Sequence, residues 1–445
     1  MFSIKDILRL EVAPALGCTE PAAVALSTAA AGALLKTRQI ESIEVWLSPS
    51  IYKNAFAVAI PGTDGQVGID LAAALGFYGG NAVLKLQVLA PIEKLHIEQA
   101  HQLIQQNRVA IHLLNNEKGI YIRSVIRGAG ETAEATIRGT HDNLVGLKYN
   151  EQPIKTCGLL MDIAESRNEI GDLETFLQGC SFDQLLVLVE QMDLDDYDFV
   201  REGIACNLKL AEYGMTYGSG LGVGKMLDRL AREGLISKDM ILSARMMTSA
   251  ACDARMSGAK LPAMSSAGSG NHGLTAILPV WAVSQYLKST DEKDVVKAVA
   301  LSHVVTGYIK AHTGRLSAVC GCSVAAGAGA TAGIAYLMGG NLRHIAGAIK
   351  NLLSDLAGVI CDGAKASCAL KLATAAGTAV QSALFALHGI DVKETDGIIA
   401  RTAEETMKNM GEISVEGMME TDHTILRIMI EKKLDRSCLN CQKFK

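Results

Sequence analysis

The first forty residues read as helical, ending near Lys36–Arg38. From about Ser42 the texture changes. "SIEVWLSPS", "AVLKLQVLA" and "RVAIHLLNN" are short runs of β-formers, and "GIYIRSVIRG" and "ETAEATIRGT" alternate apolar with polar residues. The turn signals "NNEKG" and "GAGE" separate the later runs, as in an antiparallel meander. Beyond about Pro153 the strand signals nearly vanish. "LETFLQGCSFDQLLVLVEQM", "DMILSARMMTSAACDARM", "DVVKAVALSHVVTGYIKAH" and "LRHIAGAIKNLLSDLAGVI" carry apolar residues at helical spacing, with glycine-rich turns between them. The pattern predicts an α+β protein. Residues 1–40 are expected to form an N-terminal helical segment packing on the large helical domain, residues 41–155 a small antiparallel-sheet α+β domain, and residues 156–445 that large all-α domain. No fixed-period repeat interrupts this scheme.

Composition narrows the chemistry. The 445 residues are ample for two domains, and a net charge of −5 without basic clusters speaks against nucleic acid or an anionic membrane as partner. Aromatic residues are only 4% while alanine and glycine abound, which favours closely packed helices. The longest uncharged stretch, Leu316 to Leu342, is long enough for a membrane span. Its glycines and scarcity of large aliphatics make it a buried small-residue helix instead. The start "MFSIKDILRLEVAP" is no secretory signal, so the expectation is a cytoplasmic protein whose eleven cysteines stay reduced. Reduced cysteines in clusters are metal ligands, catalytic groups or core filler.

Three places hold candidate chemistry. In "APALGCTEPAAVALS" Cys18 follows Gly17, Pro21 suits the first turn of a helix, and Thr19 or Glu20 can cap it. A sulfur at that position feels the positive end of the helix dipole, which favours the thiolate. "AVCGCSVAAG" supplies Cys320 and Cys322, and forty residues on "GVICDGAKASC" supplies Cys361 and Cys368. Thiolates hold iron–sulfur clusters, and three of them leave one iron open. Cys361 and Cys368 would share a face if their segment were helical; core cysteines in small-residue helices are the plain alternative. In "AMSSAGSGNHGLTAILPV", Ser265, Ser266, Gly268, Ser269, Gly270, Asn271 and His272 precede an apolar helical run, where glycines and helix-start amides suit an anion such as a carboxylate.

Taken together, "RLSAVCGCSVAAGAGATAGIAYLMGG", "GVICDGAKASCALK", "GCTEPAA" and "MSSAGSGNHG" resemble the iron–sulfur L-cysteine desulfidase family, related to the α chain of iron–sulfur L-serine dehydratase. The resemblance spans essentially the whole chain. It implies a 4Fe–4S cluster on three cysteines and β-elimination from an amino acid without pyridoxal phosphate. Carried over residue by residue, Cys361 and Cys368 are the second and third ligands, and the first is Cys320, with Cys322 as alternative. Cys18 faces the open iron, as a fourth resting ligand or as the base for the α-proton. The Ser265–His272 loop is substrate-facing, and Asn54, in "KNAFAVAIPGT", also resembles a substrate-reaching position. The short interval between Cys361 and Cys368 resembles the desulfidase branch, hence L-cysteine broken down to hydrogen sulfide, pyruvate and ammonia.

Other readings remain beside this one. The same site acting on a hydroxyl would make an L-serine dehydratase. A pyridoxal-phosphate lyase uses a similar "SSGNHG" turn, but Lys260 in "ARMSGAKLP" lacks the Schiff-base setting. A non-catalytic cluster-bearing sensor would release no product. "TYGSGLGVGK" is a helix junction more readily than a phosphate cradle. "GYIKAHTGRLS" places Lys310, His312 and Arg315 before the ligand cysteines, able to neutralise cluster or substrate. Cys157, Cys180, Cys206, Cys252, Cys438 and Cys441 have no motif that assigns them a part. The partner is a small amino acid, neither nucleic acid nor membrane, and a homodimer is compatible with the resemblance.

Overall fold

The computed structural model describes residues 2–154, 163–288 and 290–442, without the side chains of 163–168 and 433–442. Two helices, not one, open the chain: α1 (Ile4–Glu11) and α2 (Thr19–Gly32), with strand β1 (Pro14–Leu16) between them. Strands β2 (Ser42–Leu47), β3 (Val109–Leu113), β4 (Tyr121–Gly128), β5 (Glu131–Arg138), β6 (Leu144–Tyr149) and β7 (Gln152–Pro153) build one sheet in the order β3-β2-β4-β5-β6-β7. Alternation in β2 buries Ile43, Val45 and Leu47 on one face, which Ile122 and Ile126 of β4 and Ala133, Ala135 and Ile137 of β5 extend. That face is covered by α2, every residue of which is buried, and α4 (Ile69–Gly79) lies against α2.

Three sequence expectations change here. The 1–40 segment does not pack as a unit on the helical part: Ile4, Ile7 and Leu8 of α1 join the helical core, whereas α2 joins the core of the sheet. An alanine-rich helix with small residues on every side can be enclosed by a sheet and a helix at once, and α2 is so enclosed. Second, the sheet is mixed, because β2 and β3 pair in parallel. The chain between them runs through α3 (Pro49–Ala55), α4 and α5 (Lys94–Gln105), and such a crossover returns a strand in the same direction. Third, "AVLKLQVLA" is not a strand. It forms a 3₁₀ turn over Ala82–Gln87, started by Asn81, whose side chain accepts from the Val83 N–H at 3.1 Å.

The rest is helical: α6 (Ile163–Gly179), α7 (Phe182–Glu190), α8 (Leu194–Tyr217), α9 (Val223–Arg232), α10 (Met240–Met256), the short strand β8 (Pro262–Met264), α11 (Gly270–Ser284), α12 (Glu292–Thr313), α13 (Ala325–Leu337), α14 (Leu342–Leu356), α15 (Cys368–Leu387), α16 (Ala403–Glu412) and α17 (Met419–Gln442). The uncharged stretch forms α13, with Ala325 through Ala335 buried among α11, α12, α14 and α15. One described helix, α15, is long and apolar enough to cross a membrane; it packs against α10, α11, α13 and α14. "TYGSGLGVGK" is the α8–α9 junction, with left-handed Gly218 ending one helix and Gly222 preceding the next.

Candidate active site

The site begins with a two-stranded pairing. β1 lies antiparallel to β8, Pro14 opposite Met264 and Leu16 opposite Pro262, which carries the Cys18 turn alongside the Ser265–His272 loop. Asn207, fully buried on α8, fixes β8 by donating to the Met264 carbonyl (3.1 Å) and accepting the Met264 N–H (2.8 Å). Ser265 Oγ donates to the Ala13 carbonyl at 2.7 Å, and Ser266 Oγ hydrogen-bonds His303 Nδ1 at 2.9 Å. Those two serines therefore anchor the loop. Gly268, Ser269, Asn271 and His272 line a cavity, while Gly270 packs on the Arg255 guanidinium, where a Cβ would lie 2.4 Å from Nε.

Gly17 turns the chain in the left-handed region (φ 69°), with Arg255 donating to its carbonyl at 2.6 Å. Cys18 itself, not Thr19 or Glu20, is the N-cap of α2, with extended backbone and no side-chain cap bond, and the Thr19 hydroxyl donates to Glu20 Oε2 at 3.1 Å. The Cys18 thiol donates to the same oxygen at 2.8 Å. His141 Nε2, from the β5–β6 loop, stands 3.7 Å from Glu20 Oε1. Burial alone would raise the Glu20 carboxyl, but His141 and the Cys18 thiol outweigh it and hold it down to about 2. The same burial, with the Glu20 charge, pushes the Cys18 thiol well above its ordinary value despite Arg255. The helix start alone thus does not yield the thiolate that the sequence suggested; desolvation and a carboxylate outweigh the dipole.

The other sulfurs come from the helical part. Val319 and Ile360 form an isolated antiparallel bridge, with the Cys320 N–H on the Val359 carbonyl (2.8 Å) and the Cys361 N–H on the Ala318 carbonyl (2.6 Å). Residues flanking a bridged pair share one face, so the bridge aligns Cys320 with Cys361. Cys368 is the first residue of α15. Cys361 and Cys368 are not two turns of one helix, since residues 361–367 form a loop in which Gly363 takes φ 90°. Lys53 and Lys371 clasp that loop, donating to the carbonyls of Cys361 (3.0 Å) and Ile360 (2.9 Å). Lys53 also pairs with Asp422 of α17.

Cys320, Cys322, Cys361 and Cys368 line the same cavity as Cys18. Cys322 hydrogen-bonds Cys320, which lowers the Cys320 thiol to about 6 and sends Cys322 the other way, far above its ordinary value. Burial raises Cys368 to about 12 and also raises Cys361. Gly321, between the first two, approaches the His272 ring so closely that a Cβ would fall 2.3 Å from Nε2. Among the described residues no three His, Cys, Asp or Glu side chains are grouped to hold a single metal ion. An iron–sulfur cluster instead takes its thiolates one at each corner. Of the five free thiols around this space, Cys320, Cys361 and Cys368, with the Lys310 and Lys371 side chains beside them, form a donor set that fits such an anionic group.

Asn54 also lines the cavity, its amide donating to the Ser50 carbonyl at 2.9 Å. Lys310 and Arg315 line it too; His312 does not, and rests against Gly411. Burial, then the Lys310 charge, lowers His272 to about 3, so its ring is neutral. Cys180, Cys206 and Cys252 stand outside the cavity lining. Cys157, and the side chains of Cys438 and Cys441, lie outside the described residues. Lys260 donates to the Ile92 carbonyl at 2.8 Å, away from the cavity. A larger groove of about 980 Å³ runs between the β3 edge of the sheet and α17, but none of the candidate catalytic residues lines it.

The sequence reading passed over four side chains that the fold brings here: Glu20 as more than a cap, His141, Arg255 and Lys371. His141 sits in an ordinary polar turn and carries no local signal. Arg255 does carry one, a cation amid the small residues of "SAACDARM", on a helix whose neighbours are all buried.

The chain is 55% identical over 434 residues to the UPF0597 protein of Desulfatibacillum aliphaticivorans, covering 97% of this chain and 99% of that protein. It is 53% identical over 436 residues to the UPF0597 protein of Desulforapulum autotrophicum, 98% of each. The UPF0597 protein of Clostridioides difficile is 42% identical over 428 residues, 95% of this chain and 98% of the other. The family described as serine dehydratase alpha chain matches residues 85–427, a span that holds Arg255, the glycine–serine loop and Cys320, Cys322, Cys361 and Cys368 but not Cys18. The chain belongs to the serine dehydratase alpha-chain family.

Proposed function

We propose that the protein is an iron–sulfur-dependent L-cysteine desulfidase, a carbon–sulfur lyase releasing hydrogen sulfide, pyruvate and ammonia. One observation carries the reading: four motifs separated by up to 350 residues, Cys18, the Gly268–His272 loop, Cys320 and the Cys361–Cys368 pair, line a single cavity. Core cysteines would have no reason to converge there with Arg255, Lys310 and a neutral histidine.

A 4Fe–4S cluster on Cys320, Cys361 and Cys368 would supply a Lewis acid that draws electrons from the substrate's β-sulfur. The protein's own groups do the rest. Substrate settles between the start of α11, whose free amides favour a carboxylate, and the Cys18 turn. Cys18 Sγ takes the α-proton. In the resting chain this thiol donates to Glu20 Oε2 at 2.8 Å and is held up by burial and by that carboxylate, so it would give the thiolate only when a bound metal favoured it. Arg255 holds this geometry by binding the Gly17 carbonyl and Asn271 Oδ1 (2.8 Å) together. Loss of the α-proton and of sulfide gives aminoacrylate, which tautomerises and hydrolyses unaided. A positioned base contributes about 10²–10⁴ in rate, too little for so weak a carbon acid, so a cluster held by these cysteines would have to supply much of the remainder.

The family match favours a second reading, elimination of water from L-serine at the same site. Anaerobic turnover of L-cysteine and L-serine, compared as kcat/KM, separates them. The desulfidase reading expects L-cysteine to be preferred at least about tenfold; equal or better use of L-serine assigns the dehydratase.

A further inference from the structure

The charges around the cavity do not balance evenly. Arg315 is matched by Glu11 at 2.8 Å and Glu174 at 2.9 Å, and Lys371 by Asp362 at 2.6 Å. Glu20 has His141. Among the described residues Arg255 pairs with no carboxylate; its two terminal nitrogens are spent on Asn271 and Gly17, and its buried Nε lies against Gly270 without a partner. Lys310 is different. It is 3% exposed and lines the cavity, and among the described residues its ammonium has one acceptor, Ser317 Oγ at the long distance of 3.4 Å. An ammonium carries three donors, and a buried one short of acceptors is costly unless an anion joins it. It comes from α12 and shares the cavity lining with the glycine–serine loop, and its charge reaches His272.

We propose that Lys310 is the counter-ion of the substrate's α-carboxylate. It would make the site selective for amino acids over amines that offer the same thiol without the acid group. This deepens the lyase reading and rests on it. The carboxylate then spans from the amides at the start of α11 to the Lys310 ammonium, which fixes the α-carbon toward Cys18. The rival role for this lysine is to neutralise the thiolates of Cys320, Cys322 and Cys361, whose charges also reach it.

The test compares wild type, Lys310→Met and Lys310→Arg, prepared without oxygen and assayed for iron and acid-labile sulfide as well as kinetics. The inference expects Lys310→Met to keep wild-type iron and sulfide while KM for L-cysteine rises about 100-fold, the weight of a charge-assisted pair. Inhibition by L-alanine, which has the carboxylate but no leaving group, should weaken by the same factor. Lys310→Arg, which keeps the charge, should hold iron and stay within about tenfold of wild-type KM. Unchanged KM and alanine inhibition in Lys310→Met would overturn the inference, as would loss of iron in that variant with iron kept in Lys310→Arg. A wild-type protein that binds iron yet releases no product from either amino acid would overturn the underlying lyase reading instead.

Discussion

At the residue scale the account rests on a division of labour among thiols. Cys361→Ala or Cys368→Ala should lose bound iron and activity together, because each removes a corner of the donor set. Cys18→Ala should keep most of the iron and lose turnover; full activity in that variant would remove Cys18 from the base position. Glu20→Gln leaves burial in place but removes the carboxylate charge that also holds the Cys18 thiol up, so Cys18 should ionise at lower pH than in wild type, read from the pH dependence of its alkylation. A separate expectation concerns buried His303, which burial lowers from 6.5 to about 4. The unfolded chain takes up this proton near pH 6.5 and the folded protein only near pH 4. The stability contributed is therefore whole above 6.5 and lost as pH falls toward 4. Urea titrations should show that slope shrinking in His303→Gln. The cysteines and the glycine–serine loop were legible in the sequence because rare residue types in small-residue surroundings stand out. His141 and Lys371 were not, since an ordinary charged residue gains meaning only from what folding sets beside it. The ionisation of Cys18 was misjudged for a similar reason: the helix start was visible, whereas burial and the orientation of Glu20 were not.

At the element scale, short pairings rather than long helices set the site. The β1–β8 pair and the Val319–Ile360 bridge are too brief to show alternation, so neither could be read in advance. Long helices and the strands β2, β4 and β5 could be, because their period repeats enough to be seen. Strand β3 was visible in "RVAIHLLNN", but its parallel direction was not, because direction depends on the crossover, which no pattern within a strand records. Gly321 gives this scale its test. Its Cβ would lie 2.3 Å from His272 Nε2, so Gly321→Ala must displace either the ring or the turn between Cys320 and Cys322. Turnover should fall about 100-fold, as for a misplacement near 1 Å, while the far-ultraviolet circular dichroism spectrum stays that of wild type. Wild-type kcat in this variant would show that the contact does not position the site.

At the scale of the molecule, the site is a seam. The sheet part brings Asn54, His141 and, through α2, Cys18 and Glu20; the helical part brings the remaining sulfurs and Lys310. Lys53 crosses the seam, linking α3 to the Cys361 carbonyl and to Asp422. Lys53→Met strands both acceptors and should lower stability by about 2 kcal/mol, with activity falling as well. Lys5→Met, at an exposed ion pair on α1, should change neither. Helical and sheet halves could be told apart from the sequence, but that the chemistry lies between them could not, because no residue pattern marks an interface made by chain segments so distant. The most direct test of the whole account measures iron, acid-labile sulfide and pyruvate formation from L-cysteine on one anaerobic preparation of the full chain. About four irons and four sulfides per chain, with pyruvate and hydrogen sulfide released in equal amounts, is the predicted result. Pyruvate released at full rate by protein free of iron and inorganic sulfide would contradict it.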